Sequence, residues 1–242
     1  MYFIYSKQHF IHCCCYDRGD LNPVNQDAVL FRSVMTMKGP VALLMVCDGV
    51  GGLQKGEYAS RFVSERVSAW FDEFGIFLAI KGNKRKIANS FISEMEFIHK
   101  ELSLYGYERG IELATTVSVA LLFQYSYFIY HVGDCQIMRA GRALTILSKI
   151  QRNLRGELLQ AVGFGPLPNP HIQFGKYRKN DAFILCSDGF MNQFTKEEIK
   201  ELFCNYQGNL LCVRKRLETA VKCVRNRGEK DNVSVLYVRR VQ

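Results

Sequence analysis

Val41-Ala42-Leu43-Leu44-Met45-Val46-Cys47-Asp48-Gly49-Val50-Gly51-Gly52 is the stretch from which the fold can be read. The apolar run Val41–Cys47 shows no polar alternation, the pattern of a strand buried on both faces. Gly49, Gly51 and Gly52 then break it. Asp48 stands at the junction, a carboxylate at a strand end where small neighbours let the backbone approach a ligand.

The same setting recurs along the chain. Asp134 follows the strand-like Tyr127–Val132. Asp188 follows Asp181–Cys186 and precedes Gly189. Asp231 precedes the last strand, Val233–Val238, and Asp27 directly precedes the first, Ala28–Val34. One Asp-Gly pair more often marks a turn. Five acids in one context are placed to converge on one rim of a sheet. Converging carboxylates without histidine or thiol partners select hard divalent ions, Mg²⁺ or Mn²⁺. Left alone, such a cluster repels itself and raises its own pKa values. A pair of ions about 3.5–4 Å apart removes that penalty and activates a bridging water.

Between these acids the pattern alternates strands with long helices. Apolar stripes predict helices over about Gly56–Phe74, Lys84–Leu104 and Asn209–Arg227, the last ended by Gly228. Thr195 and Glu198 form a capping box for a short helix. The middle is β-rich: Thr115–Gln124, Tyr127–Val132, Gln136–Ala140 and Ala143–Leu147 follow one another through tight turns. Strands in runs with helix pairs between them predict an α+β layered fold.

The chain has 242 residues, 48 % of them hydrophobic, enough for one domain over 1–242 with a sizeable core. No apolar run reaches the roughly 18 residues of a membrane span. Met1–Phe10 lacks the features of a signal peptide. Nine cysteines without zinc-type spacing predict reduced, mostly buried thiols in a cytoplasmic protein. The net charge of +9 concentrates at Lys81–Lys86 and Val213–Arg227. Both lie on or beside helical segments and read as solvated faces; no aromatic–basic motif points to nucleic acid.

The ordered motifs resemble those of the metal-dependent protein phosphatases of the 2C type, in their bacterial form. Asn25-Gln26-Asp27 and Val46-Cys47-Asp48-Gly49-Val50-Gly51-Gly52 resemble the first two motifs. Ala114-Thr115-Thr116 opens the next strand, and His131-Val132-Gly133-Asp134-Cys135 resembles a Gly-Asp-Ser turn. Leu159-Gln160-Ala161-Val162-Gly163 resembles the segment after the flap. Cys186-Ser187-Asp188-Gly189-Phe190 and Lys230-Asp231-Asn232-Val233-Ser234-Val235 match the last two motifs.

The resemblance covers about Gly19 to Val238 and implies a four-layer αββα sandwich around a central antiparallel β-sandwich. It implies that Asp48 bridges two metals, with Asp188 and Asp231 on the first. The Gly49 carbonyl and Asp27 serve the second. Asp134, with Asp188, matches the holder of a third, weaker ion. The implied reaction is hydrolysis of phosphoserine and phosphothreonine in proteins by a metal-bridged water. The implied partners are phosphoproteins and a Ser/Thr kinase acting on them, and the chain is read as a monomer.

Three features depart from the pattern. Asn22 stands where many members carry a phosphate-clamping arginine, leaving Arg18, Arg152 and Arg155 as candidate cations for the substrate phosphate. Gln26 replaces the acid before Asp27. The flap is short, with Lys149-Ile150-Gln151 at its usual Asp-His-Ser start. A rival reading follows from these departures: a regulatory or weakly active protein of the same fold that binds a phosphoprotein partner.

Overall fold

A computed structural model describes residues 9–51, 53 and 55–241. Met1–Gln8, most of the segment that reads as lacking signal-peptide features, and Gly52 of the glycine cluster lie outside the described residues.

Two five-stranded antiparallel sheets make the centre. The first comprises β2 (Asp27–Thr36), β3 (Gly39–Asp48), β4 (Val117–Phe123), β5 (Ser126–Val132) and β8 (His171–Lys176), in that order. The second runs β1 (Phe10–Asp17), β10 (Val233–Arg240), β9 (Ala182–Cys186), β6 (Gln136–Ala140) and β7 (Leu144–Ile146).

The unbroken apolar run of β3 has a direct cause. Its even-numbered side chains, Ala42, Leu44 and Val46, face the second sheet and meet Ile129, Phe183, Leu185 and Leu236. Its odd-numbered ones, Leu43, Met45 and Cys47, share a core with Val63, Val67, Phe91 and Ile98 of the helices outside. Successive residues on a strand point to opposite faces, so a strand between two apolar layers needs apolar residues at every position. Truncating Leu43 or Leu44, both fully buried, would cost about 2–5 kcal/mol.

The outer helices on the first sheet are α1 (Gly56–Trp70), α2 (Ile76–Lys81) and α3 (Lys84–Arg109). On the second sheet lie α4 (Asp188–Met191), α5 (Lys196–Phe203) and α6 (Leu210–Asn226). Val213, Leu217 and Val224 of α6 pack on Ile184, Cys186, Val235 and Tyr237. Four layers result, helix–sheet–sheet–helix. The Thr195 capping box forms as expected: Thr195 N–H donates to Glu198 Oε2 at 2.8 Å, and Glu198 N–H to Thr195 Oγ1 at 3.2 Å. No helix of the described residues is long and apolar enough to cross a membrane.

Several boundaries differ from the sequence reading. The first helix does not stop at Phe74. It passes through a π-turn at Phe71–Gly75 and ends at Gly82, whose φ of 66° suits a glycine. Gly75 is needed there, since a Cβ would come within 2.9 Å of the Trp70 ring. α3 runs to Arg109 rather than Leu104 and ends on Gly110. Strands β1 and β8 were not expected. β1 is an edge strand whose three cysteines and alternating burial blur its period. β8 hides a short Ile172/Phe174 alternation after a long irregular connection. Of the nine thiols, only Cys47, Cys135 and Cys186 are buried; Cys14 and Cys212 are exposed. None is in a disulfide.

Candidate metal centre

Asp27 is the first residue of β2 and Asp48 the last of β3, and they pair directly across that ladder. Asp134 sits in the turn from β5 to β6. Asp188 opens α4 just past β9, and Asp231 lies two residues before β10. The acids therefore come from the ends of both sheets, not from one rim of one sheet as the strand pattern alone implied. Packing the sheets face to face brings the two sets together, and Asp48 feels the charges of Asp27, Asp188, Asp134 and Asp231.

The backbone around Asp48 is braced. Its carbonyl accepts from Thr116 N–H at 2.8 Å and Thr115 Oγ1 at 2.9 Å, and its N–H donates to Thr116 Oγ1 at 2.9 Å. Gly49 N–H donates to the Gln26 carbonyl at 3.1 Å. A side chain at Gly49 would put its Cβ 2.6 Å from the Gly56 carbonyl, so only glycine fits beside Asp48.

Asn232 ties the distant motifs to one another. Its Oδ1 accepts from Gln26 N–H at 2.8 Å, and its Nδ2 donates to the Arg18 carbonyl at 2.5 Å. Its own N–H donates to Asp231 Oδ1 at 2.7 Å. Arg225 Nη1 supports the Asp231 carbonyl at 2.7 Å. These orienting residues, Thr115, Thr116 and Asn232, lay inside quoted motifs but carried no sequence signal of their role.

Electrostatics sets these acids apart from surface carboxylates. Burial drives the Asp48 carboxyl well above its ordinary pKa, and the neighbouring acids push it further. Burial raises Asp27 to about 7, with Asp188 and Asp231 adding to the effect. The Ser234 and Ser187 hydroxyls lie close enough to oppose that rise. Yet neither Asp27 oxygen has a well-formed hydrogen bond among the described residues. Burial also raises Asp134 and Asp231. A buried carboxylate left without a partner is costly, and a divalent cation beside Asp27 and Asp48 would relieve that cost. Hard oxygen donors without imidazole fit a divalent ion of the Mg²⁺ or Mn²⁺ kind.

One neighbour escaped the sequence reading. Oxygens of Asp48 and Asp134 and the sulfur of Cys135 all lie within 4.8 Å of one another. Cys135 occupies the serine place of the Gly-Asp-Ser turn, the only clue to its position. Burial holds its thiol protonated, and its sulfur is 3.2 Å from Thr116 Oγ1.

The candidate phosphate-binding residues divide. Arg18 is exposed and its Nη1 donates to the Pro23 carbonyl at 3.0 Å. Asn22 is half-buried and Arg155 exposed. Arg152 instead lies on the acids themselves: its Nε donates to Asp134 Oδ2 at 2.6 Å and its Nη2 to Asp188 Oδ2.

A sandwich of two antiparallel sheets between helix layers, with five acids brought together from the sheet ends, is an arrangement suited to hard divalent ions. A family model described as Protein phosphatase 2C matches residues 20–222. The serine/threonine phosphatase stp of Listeria innocua serovar 6a is 22 % identical over 249 residues, covering 93 % of each chain. Among solved structures, a bacterial serine phosphatase covers 96 % of this chain and 98 % of its own, with TM-score 0.81 and 21 % identity. Stp1 from Staphylococcus aureus covers 94 % of both chains, with TM-score 0.79 and 21 % identity. The Mycobacterium tuberculosis phosphatase PstP/Ppp covers 96 % of this chain and 99 % of its own, with TM-score 0.75 and 21 % identity. The chain belongs to the protein phosphatase 2C family. It is a metal-dependent protein serine/threonine phosphatase.

Proposed function

We propose that Asp27, Asp48, Asp188 and Asp231, with the Gly49 carbonyl, hold a pair of Mn²⁺ or Mg²⁺ ions at which phosphoserine and phosphothreonine of proteins are hydrolysed. The observation that carries this reading is the Asp27–Asp48 pair, two desolvated acids facing across one rung, with neither Asp27 carboxylate oxygen in a well-formed hydrogen bond among the described residues. Bound there, the ions would supply Lewis acidity toward the phosphate oxygens and lower the pKa of the attacking water. The chain's own part is positioning. Thr115 and Thr116 fix Asp48, and Asn232 fixes Asp231, so little reorganisation is left for the moment of reaction.

With Asn22 at the clamp position, the substrate dianion would rely on the ions and on mobile surface cations such as Arg18 and Arg155. The substrates are phosphoproteins, including those of a Ser/Thr kinase, met in the cytoplasm by a monomer whose single domain spans 1–242.

Steady-state hydrolysis of a phosphothreonine peptide tests the reading. Asp48→Ala, Asp188→Ala and Asp231→Ala should each lower kcat by at least about 100-fold. Activity that survives in Asp48→Ala at the wild-type level would refute it. Turnover that is negligible in the Mn²⁺-loaded wild type would support a binding or regulatory role instead.

A further inference from the structure

The Arg152 guanidinium bridges two acids of the site. Nε donates to Asp134 Oδ2 and Nη2 to Asp188 Oδ2, so one planar fork spans two carboxylates, one from the β5–β6 turn and one from the start of α4. Asp134 and Asp188 have only 9 % and 16 % of their side chains exposed, against 29 % for Arg152. Both contacts use Oδ2, which leaves the other oxygen of each acid unclaimed by Arg152. Burial and Asp188 raise the Asp134 pKa, and the Arg152 charge opposes that rise.

The loop delivering Arg152 is anchored at the residue before Asp134. Gln151 N–H donates to the Gly133 carbonyl at 2.9 Å, and Gly133 N–H donates to Gln151 Oε1 at 2.7 Å. The Gln151 carbonyl accepts from Leu159 N–H at 2.9 Å, and Gln151 Nε2 donates to the Asn169 carbonyl at 3.2 Å. Arg152 itself forms a bridge with Leu158. Gln151 is thus clamped in both directions, and the next residue along can only fall beside Asp134. The short flap has become a device that seats an arginine.

We infer that Arg152 is a tethered cation occupying the place between Asp134 and Asp188 where a third divalent ion would otherwise bind, so that the protein saturates with two ions. This rests on the metal-centre reading above. A guanidinium is always charged and matches carboxylates in a fixed fork. It neutralises the two acids without an ion drawn from solution, and a divalent ion entering there would first have to displace it.

The test counts Mn²⁺ bound per chain at saturation, by the electron paramagnetic resonance signal of the free ion. Wild type should bind two. Arg152→Gln should bind three, the third more weakly, and Arg152→Gln combined with Asp134→Asn should return to two. Arg152→Lys, whose single ammonium cannot span both acids as a fork, should admit a weak third ion. Three ions in wild type, or two in every Arg152 variant, would overturn the inference while leaving the metal centre standing. Fewer than two in Arg152→Gln overturns it as well, since Arg152 would then be needed to build the pair. No bound Mn²⁺ in wild type would defeat the metal-centre reading itself and this inference with it.

Discussion

Asp27 and Asp48 are direct cross-strand partners at the end of the β2–β3 ladder. Like charges directly opposite on a sheet are destabilising by up to about 1 kcal/mol, and here both groups are desolvated as well. The protein keeps a local conflict that its fold does not require. Asp27→Asn should therefore raise the melting temperature of the metal-free protein by about 2–4 °C and lower phosphatase activity. Calorimetry in chelator and then in Mn²⁺ checks this: the gain should vanish or reverse once the ion is added. A metal-free Asp27→Asn protein that melts at or below wild type would mean that repulsion is not stored there.

A second prediction concerns pH. His131 is buried on β5 beside the Asp134 turn, with Nε2 3.0 Å from the Gly133 carbonyl and Nδ1 2.8 Å from Ser118 Oγ. The carbonyl can only accept, so Nε2 carries the proton and Nδ1 accepts from the serine. Burial lowers the His131 pKa from 6.5 to about 4. The unfolded chain takes up a proton on this residue below about 6.5 and the folded one only near 4, so stability is lost as pH falls between those values. The loss amounts to about 3 kcal/mol across the window. Asp27, raised to about 7, acts in the opposite sense over the same window in both proteins, so the check is the difference: in denaturant unfolding from pH 7 to pH 4, wild type should lose more stability, or gain less, than His131→Gln. An equal slope in both proteins would place the titrating group elsewhere.

Phosphate capture gives a third. Asn22 cannot replace a charged fork, and Arg18, four residues before it, spends Nη1 on the Pro23 carbonyl. A mobile surface cation is screened by salt, so KM should be high and rise with ionic strength. Asn22→Arg should lower KM with little change in kcat, as an interaction equal in ground and transition states does. Initial rates at two salt concentrations measure it. An unchanged KM would show that position 22 does not face the phosphate.

Much of the fold is legible in the sequence. The Val41–Cys47 run announced a strand between two apolar layers, and β3 is that strand. The strand-end aspartates stood out through their recurrence, since a single one reads as a turn, and the fold brings them together. What the sequence concealed were relationships between distant segments. Asn232 joins Gln26, Arg18 and Asp231 through hydrogen bonds to main-chain groups, which leave no pattern. Arg152 read as a flap cation for substrate, yet the Gln151–Gly133 clamp directs it onto Asp134 and Asp188. β1 was obscured because an edge strand with one face on α6 and the other partly exposed tolerates polar and thiol residues alike.

The central claim is that these aspartates form one metal centre. Anomalous diffraction at the manganese edge from crystals grown with Mn²⁺ tests it most directly. The account predicts two strong peaks shared among Asp27, Asp48, Gly49, Asp188 and Asp231, and none between Asp134 and Asp188 while Arg152 is present. Peaks absent from this cluster, or found only elsewhere on the molecule, would contradict it.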